Sequence, residues 1–70
     1  MTDKVTELTT LELPYRRKAS IRSVEFDGGL QMVRLVLREG TRITQVDLDA
    51  ETAIALGGAL TAAAQDLDGN

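Results

Sequence analysis

From Lys18 onward the chain alternates apolar and polar residues in three runs, "ASIRSVEFD", "LQMVRLVLRE" and "TRITQVDLD". Alternation with period two predicts strands, here over about 18–26, 30–38 and 41–48. The runs are separated by Asp27-Gly28-Gly29 and by Glu39-Gly40. Both are hairpin signals, because tight hairpin turns need positive φ and glycine supplies it without steric cost. Upstream, "LELPY" sets Leu11, Leu13 and Tyr15 on one side. Pro14 removes a backbone donor there, so a strand at this point is an edge strand or ends. Residues 1–10 are expected to be loose.

The turns can be tested against the apolar pattern, because register decides which side chains share a face. With Gly28-Gly29 as a two-residue loop, Phe26 lies opposite Gln31, Val24 opposite Val33 and Ile21 opposite Val36. With Glu39-Gly40 as the second loop, Val36 lies opposite Ile43 and Val33 opposite Val46. One face then collects Val24, Phe26, Val33, Leu35, Leu37, Val46 and Leu48. The other holds Ala19, Ile21, Met32, Val36 and Ile43 among polar residues.

The period changes after Leu48. Ala53, Leu56, Gly57, Leu60, Ala63, Ala64 and Leu67 recur at helical spacing and form one stripe. Asp49 is an N-cap residue, Glu51 complements the helix dipole in the first turn, and Gly69 is a stop signal. The predicted helix covers about 50–67 and should lie across the Val24/Val33/Val46 face. Gly57 falls in the sheet-facing stripe, where it would let the helix backbone approach Val33 and Val46. Gly58 falls on the flank, in a row with Ile54 and Ala62. The expected fold is α+β: an antiparallel meander of three strands, or four with the N-terminal segment, and one C-terminal helix packed on one face.

Length and composition narrow what this fold can do. Seventy residues make a single domain. A chain of this size buries only about 60% of its unfolded surface, so self-association is a natural source of extra stability. There is no cysteine to form a disulfide. With no histidine either, a zinc site is not expected. The first residues lack the basic-then-apolar order of a signal segment, and no apolar run approaches the roughly 20 residues that span a bilayer. A cytoplasmic protein is expected. The net charge of −3 is uneven. Residues 13–46 carry seven Lys/Arg against three Asp/Glu, whereas residues 47–70 carry five acids and no base.

Candidate chemistry is sparse. Ser20 and Ser23 have no histidine to activate them. Asp47, Asp49 and Glu51 lack the glycine and the terminal acid of a calcium loop, since Thr52 and Gly58 stand at those positions. The glycines of "DGGLQM" lack the following lysine and helix of a phosphate loop. No catalytic, cofactor-binding or metal-binding residue is assigned, and an enzyme is not expected. "YRRKASIR" offers Tyr15 as a stacking platform beside Arg16, Arg17, Lys18 and Arg22. Against nucleic acid stand the acidic net charge and an acidic, Ala-rich helix.

The second sheet face gives the sharper signal. Three strands and one helix cover one face only. The Ile21/Val36/Ile43 row, with Ala19 and Met32 beside it, must then be covered by the N-terminal segment, a second subunit or a ligand. The expected interface, with a second copy or another protein partner, uses the sheet residues Ile21, Met32, Val36 and Ile43, the helix flank Ile54, Gly58 and Ala62, or both.

The stretch "RITQVDLDAETAIALGGALTAAA" resembles the C-terminal half of many small bacterial proteins of unknown function, in which a last strand leads through an acidic cap into an Ala/Leu-rich helix. The resemblance covers roughly residues 19–67. It implies a small antiparallel sheet with a helix on it and carries no activity. The function expected on all these grounds is a non-enzymatic protein–protein interaction domain acting as a homodimer. The alternative is a nucleic-acid-binding accessory protein using Arg16–Arg22.

Overall fold

The computed structural model describes residues 3–69. Four antiparallel strands form one open sheet in chain order: β1 (Lys4–Leu13), β2 (Arg17–Glu25), β3 (Gln31–Glu39) and β4 (Arg42–Leu48). The helix α1 (Ala50–Asp68) follows. The fold is α+β, as the change from a two-residue to a helical period predicts.

The N-terminal segment differs from expectation. From Lys4 it is an ordered edge strand, paired with β2 from Lys4↔Glu25 to Leu13↔Arg17; residues 1–2 of the segment expected to be loose lie outside the described residues. Its alternation is hidden by a register shift between Glu7 and Thr9. The extra residue of such a bulge, here Leu8, inverts the alternation beyond it. Val5 therefore points to one face and Leu11 and Leu13 to the other. Lying in the sheet plane, β1 widens both faces and covers neither. Pro14 ends it in a short 3-10 turn, Pro14–Arg16, with Tyr15 and Arg16 in the left-handed region at φ 63 and 61.

The first glycine hairpin also departs from the expected geometry. Its loop has three residues, Asp27, Gly28 and Gly29, because the Phe26 amide donates to the Leu30 carbonyl at 2.7 Å. The Gly29 amide closes the turn onto the Phe26 carbonyl at 3.0 Å. Both glycines have positive φ, 98 and 93. Relative to a two-residue loop, the pairing moves by one residue, and a one-residue slip exchanges the faces of a whole strand. Val24 now pairs with Met32, Ile21 with Leu35 and Ala19 with Leu37. The second loop is Gly40-Thr41, closed by the Glu39↔Arg42 pair, with Gly40 at φ 61 as in a type II′ turn. That pairing is displaced by two residues from the expected one, and a shift of two leaves faces unchanged.

The sheet therefore has one face built of cross-strand rows Thr6–Ser23–Val33–Leu48, Thr9–Ile21–Leu35–Val46, Leu11–Ala19–Leu37–Thr44 and Leu13–Arg17–Glu39–Arg42. The opposite face carries Val5–Val24–Met32, Glu7–Arg22–Arg34–Asp47, Thr10–Ser20–Val36–Gln45 and Glu12–Lys18–Arg38–Ile43. The helix sits on the first of these. It meets Ile21, Val33, Leu35 and Leu48, not the expected Val24.

Asp49 caps the helix as its position predicts. Its carboxylate accepts from the Thr52 amide at 2.7 Å, and its carbonyl accepts from Ala53 at 2.9 Å. At the other end the Gly69 amide donates to the Gln65 carbonyl at 2.8 Å. Ala53, Leu56, Gly57 and Leu60 line an apolar gap of about 140 Å³ over Ile21, Val33, Leu35 and Leu48. A Cβ built on Gly57 would meet nothing within 4 Å. Gly57 thus faces the sheet but does not enforce a close approach, because the helix stands off there.

Candidate interaction surface

The helix stripe predicts contact along its whole length, yet contact with the sheet is confined to its first half. No helix residue is fully buried. Leu60 is 64% exposed and Leu67 80%. On the sheet, large side chains in and beyond the Leu35 row stay exposed around the buried Ala19. Leu37 is 38% exposed, Val46 44% and Leu11 49%, and all three lie on the helix side. Chain dimensions say the same. The radius of gyration is 14.1 Å, against roughly 11 Å for a compact domain of this length. The chain exposes 5704 Å², about 1,400 Å² more than a compact monomer of its mass.

At the far end of the bare rows lies an open cleft of about 270 Å³, lined by Leu13, Leu37 and Thr44 and by Arg17, Arg38, Arg42 and Glu39. Arg17 donates from Nε to Glu39 at 2.7 Å and its ion pair closes the row; its guanidinium also stands 5.8 Å from the Tyr15 ring. Among the described residues Arg38 and Arg42 have no acidic partner, so the mouth is net basic. The helix, in contrast, carries Glu51, Asp66 and Asp68 and no base.

The opposite face is chemically different. Glu7, Arg22, Arg34 and Asp47 form one row across all four strands. Arg34 donates to both oxygens of Asp47 at 2.8 and 3.1 Å, and Arg22 reaches Glu7 at 3.5 Å. Lys18 pairs with Glu12 at 3.8 Å, and the Thr10 and Ser20 hydroxyls lie 3.3 Å apart. Hydrogen bonds from Arg34 and its charge hold the Asp47 carboxyl below the usual carboxylate range. Hydrogen bonding from Thr52 does the same for Asp49 at the helix cap. Val24, in the end row beside the Glu7–Asp47 row, is fully buried, and Val36, between the two charged rows, nearly so.

This arrangement separates the residues expected to form one interface. Ile21 lies under the helix, whereas Met32, Val36 and Ile43 lie on the opposite face. The change of side follows from the three-residue turn. Of those three only Ile43 is well exposed; Met32 is half-buried. Ile54, Gly58 and Ala62 are exposed together on the helix flank, as expected. The sequence pattern missed Leu11, Leu37 and Val46. Leu37 and Val46 read as core beneath the helix, and nothing in the pattern says that the helix covers only half of its face.

The basic run is also divided. Tyr15 and Arg16 sit exposed on the turn, Arg17 points to the helix side, and Lys18 and Arg22 point to the other. Arg17, Lys18 and Arg22 each have a carboxylate partner. The run therefore does not form one continuous basic surface. Among the described residues no group of acids could hold a metal ion, and no helix is long and apolar enough to cross a membrane.

A family model, described as a family of unknown function (DUF6967), matches residues 2–66. The chain belongs to this family. Membership covers the whole sheet and nearly all of the helix, so the bare rows and the projecting helix both lie in the DUF6967 region. No curated protein and no solved structure matches the chain.

Proposed function

We propose that this DUF6967 chain is a non-enzymatic protein–protein interaction module that works as a homodimer. The observation that carries the reading is the surplus of exposed surface of the chain, together with the exposed aliphatic side chains on its helix side. A standard interface removes about 800 Å² from each partner, and obligate dimers remove more. The surplus of about 1,400 Å² per chain is of that order. On the helix side the exposed aliphatic side chains include Leu11, Leu37 and Val46 of the sheet and Leu60 and Leu67 of α1. Surfaces of this kind mark contacts. The non-enzymatic part of the reading is supported by the residue inventory. The chain has no histidine or cysteine, and the gap between helix and sheet is lined by aliphatic side chains and glycine alone. We further take the module to be cytoplasmic, as a cysteine-free chain favours.

Sedimentation equilibrium over a concentration series tests the reading. The expected result is a dimer mass that holds on dilution into the low micromolar range. A monomer mass up to about 100 μM overturns it.

A further inference from the structure

We propose that two copies dock reciprocally, each placing the C-terminal half of its helix on the bare rows of the other's sheet. The inference rests on the homodimer reading and adds the geometry of the contact. Three independent properties of the two surfaces agree.

The first is apolar match. Ala63, Ala64 and Leu67 continue the stripe of α1 past Leu60, the last helix residue that lines the gap over its own sheet. Leu11 and Leu37 continue the sheet face past the Leu35 row, the last that lines the gap under its own helix, and Val46 is exposed at the β4 end of that row. Each copy therefore supplies one uncovered helix segment and one uncovered sheet segment.

The second is length. From Leu60 to Asp68 the helix rises about 12 Å at 1.5 Å per residue. From the Leu35 row to the Glu39 row the strand advances about 13 Å at 3.3 Å per residue. The free helix segment and the free rows are the same size.

The third is charge. The bare rows end at Arg17 and Arg42, with Glu39 taken up by its ion pair to Arg17. The free helix segment ends in an acidic turn that includes Asp68. A docked helix end brings Asp68 to the Arg42 mouth, where complementary charge fixes direction as well as partner. Because helix and sheet segments belong to the same chain, one twofold axis satisfies both docks at once. The contact is then isologous and closes at two copies.

The test uses the absence of cysteine. One preparation carries Leu37→Cys and another Ala64→Cys, each confirmed as folded by circular dichroism. They are mixed and oxidised at a concentration where sedimentation reports dimer. Cysteines on separate chains exclude contacts within one copy. The expected product is the mixed disulfide, forming about 10-fold faster than either like-with-like product. A second arm does not depend on cysteine geometry. Arg42→Glu and Asp68→Lys should each weaken association about 10-fold, and the equimolar mixture of the two variants should recover most of that loss, since both docks of the mixed dimer, one with the parent pair and one with the reversed pair, bring opposite charges together. If the chain is dimeric but no excess of mixed disulfide appears and the charge variants associate like the parent, the reciprocal docking is overturned and the homodimer reading stands. If the parent chain is monomeric throughout, both are overturned.

Discussion

The two faces of the sheet solve the problem of a small core in opposite ways. On the face away from the helix, four strands are tied by rows of paired side chains. Glu7, Arg22, Arg34 and Asp47 span the sheet, and Val24 and Val36 are buried in the rows on either side of them. The arginine stems cover apolar surface while their heads stay in water. That face is complete within one chain. The helix-side face is more apolar, yet half of it is open, because the helix leaves the sheet after about three turns. A face finished by ion pairs asks for nothing from outside. A face of aliphatic rows beside an exposed aliphatic helix is unfinished.

The largest expected effect separates the faces directly. Leu37→Asp, on the open rows, should weaken self-association by about 100-fold or more while leaving the circular dichroism of the monomer intact, because a buried unpaired carboxylate is costly at an interface. Ile43→Asp makes the same chemical change at a similarly exposed site on the other face. It should alter association by less than about 3-fold. Sedimentation of both variants decides the matter, and the reverse ranking would invert the comparison.

Val24→Ala probes the completed face. The side chain is fully buried, so its loss should cost about 2 kcal/mol of folding stability from transfer and cavity terms together. Denaturant unfolding measures this. Association, corrected for the folded fraction, should be unchanged.

Acid should act on the same face and on the helix cap. Asp47 and Asp49 are both held below the usual carboxylate range in the folded chain. The unfolded chain therefore binds more protons, and stability rises with pH through the carboxylate region. The contribution is fully present above about pH 4 and is lost as pH falls further towards the folded-state values. A melting-temperature profile from pH 7 to 2 should show this acid limb. Asp47→Asn should make the limb shallower and lower the neutral melting temperature by about 5 °C.

The smallest effect concerns the gap between helix and sheet. Gly57 is helical, and a Cβ there meets nothing. Gly57→Ala should therefore stabilise the chain by about 0.5–1 kcal/mol, the ordinary helix-propensity difference. A destabilised variant would mean that the helix packs closer than the gap of about 140 Å³ allows.

Much of the architecture is legible in the sequence because its signals are local. Turn glycines, period-two runs and the Asp49 cap each act within a few residues, and each sits where its chemistry predicts. Faces are not local. Both sides of β2 carry apolar residues, Ala19 and Ile21 on one and Val24 on the other, so patterning there is satisfied by either register. Only the size of the Asp27–Gly29 turn chooses between them, and two glycines suit a loop of two residues or three. In β1 the Leu8 bulge splits a regular pattern into two halves with opposite phase. The open rows were hidden for a different reason. An amphipathic stripe reports what a helix can cover, not how far along the sheet it does so. Ile54, Gly58 and Ala62 were legible as exposed because a helix flank depends on spacing alone.

The irregularity in β1 also bears on how large an assembly this chain can build. A sheet grows when a new strand adds to an exposed edge, and here the two edges are not equivalent. The bulge at Leu8 and Pro14 beyond it make the β1 side a poor template for strand addition. The β4 side, Arg42–Leu48, is short, regular and free of proline. A sheet with a single smooth edge can be extended once by a second copy, after which no further edge of that kind remains. The bulge and Pro14 therefore limit growth of this sheet by strand addition to the β4 side.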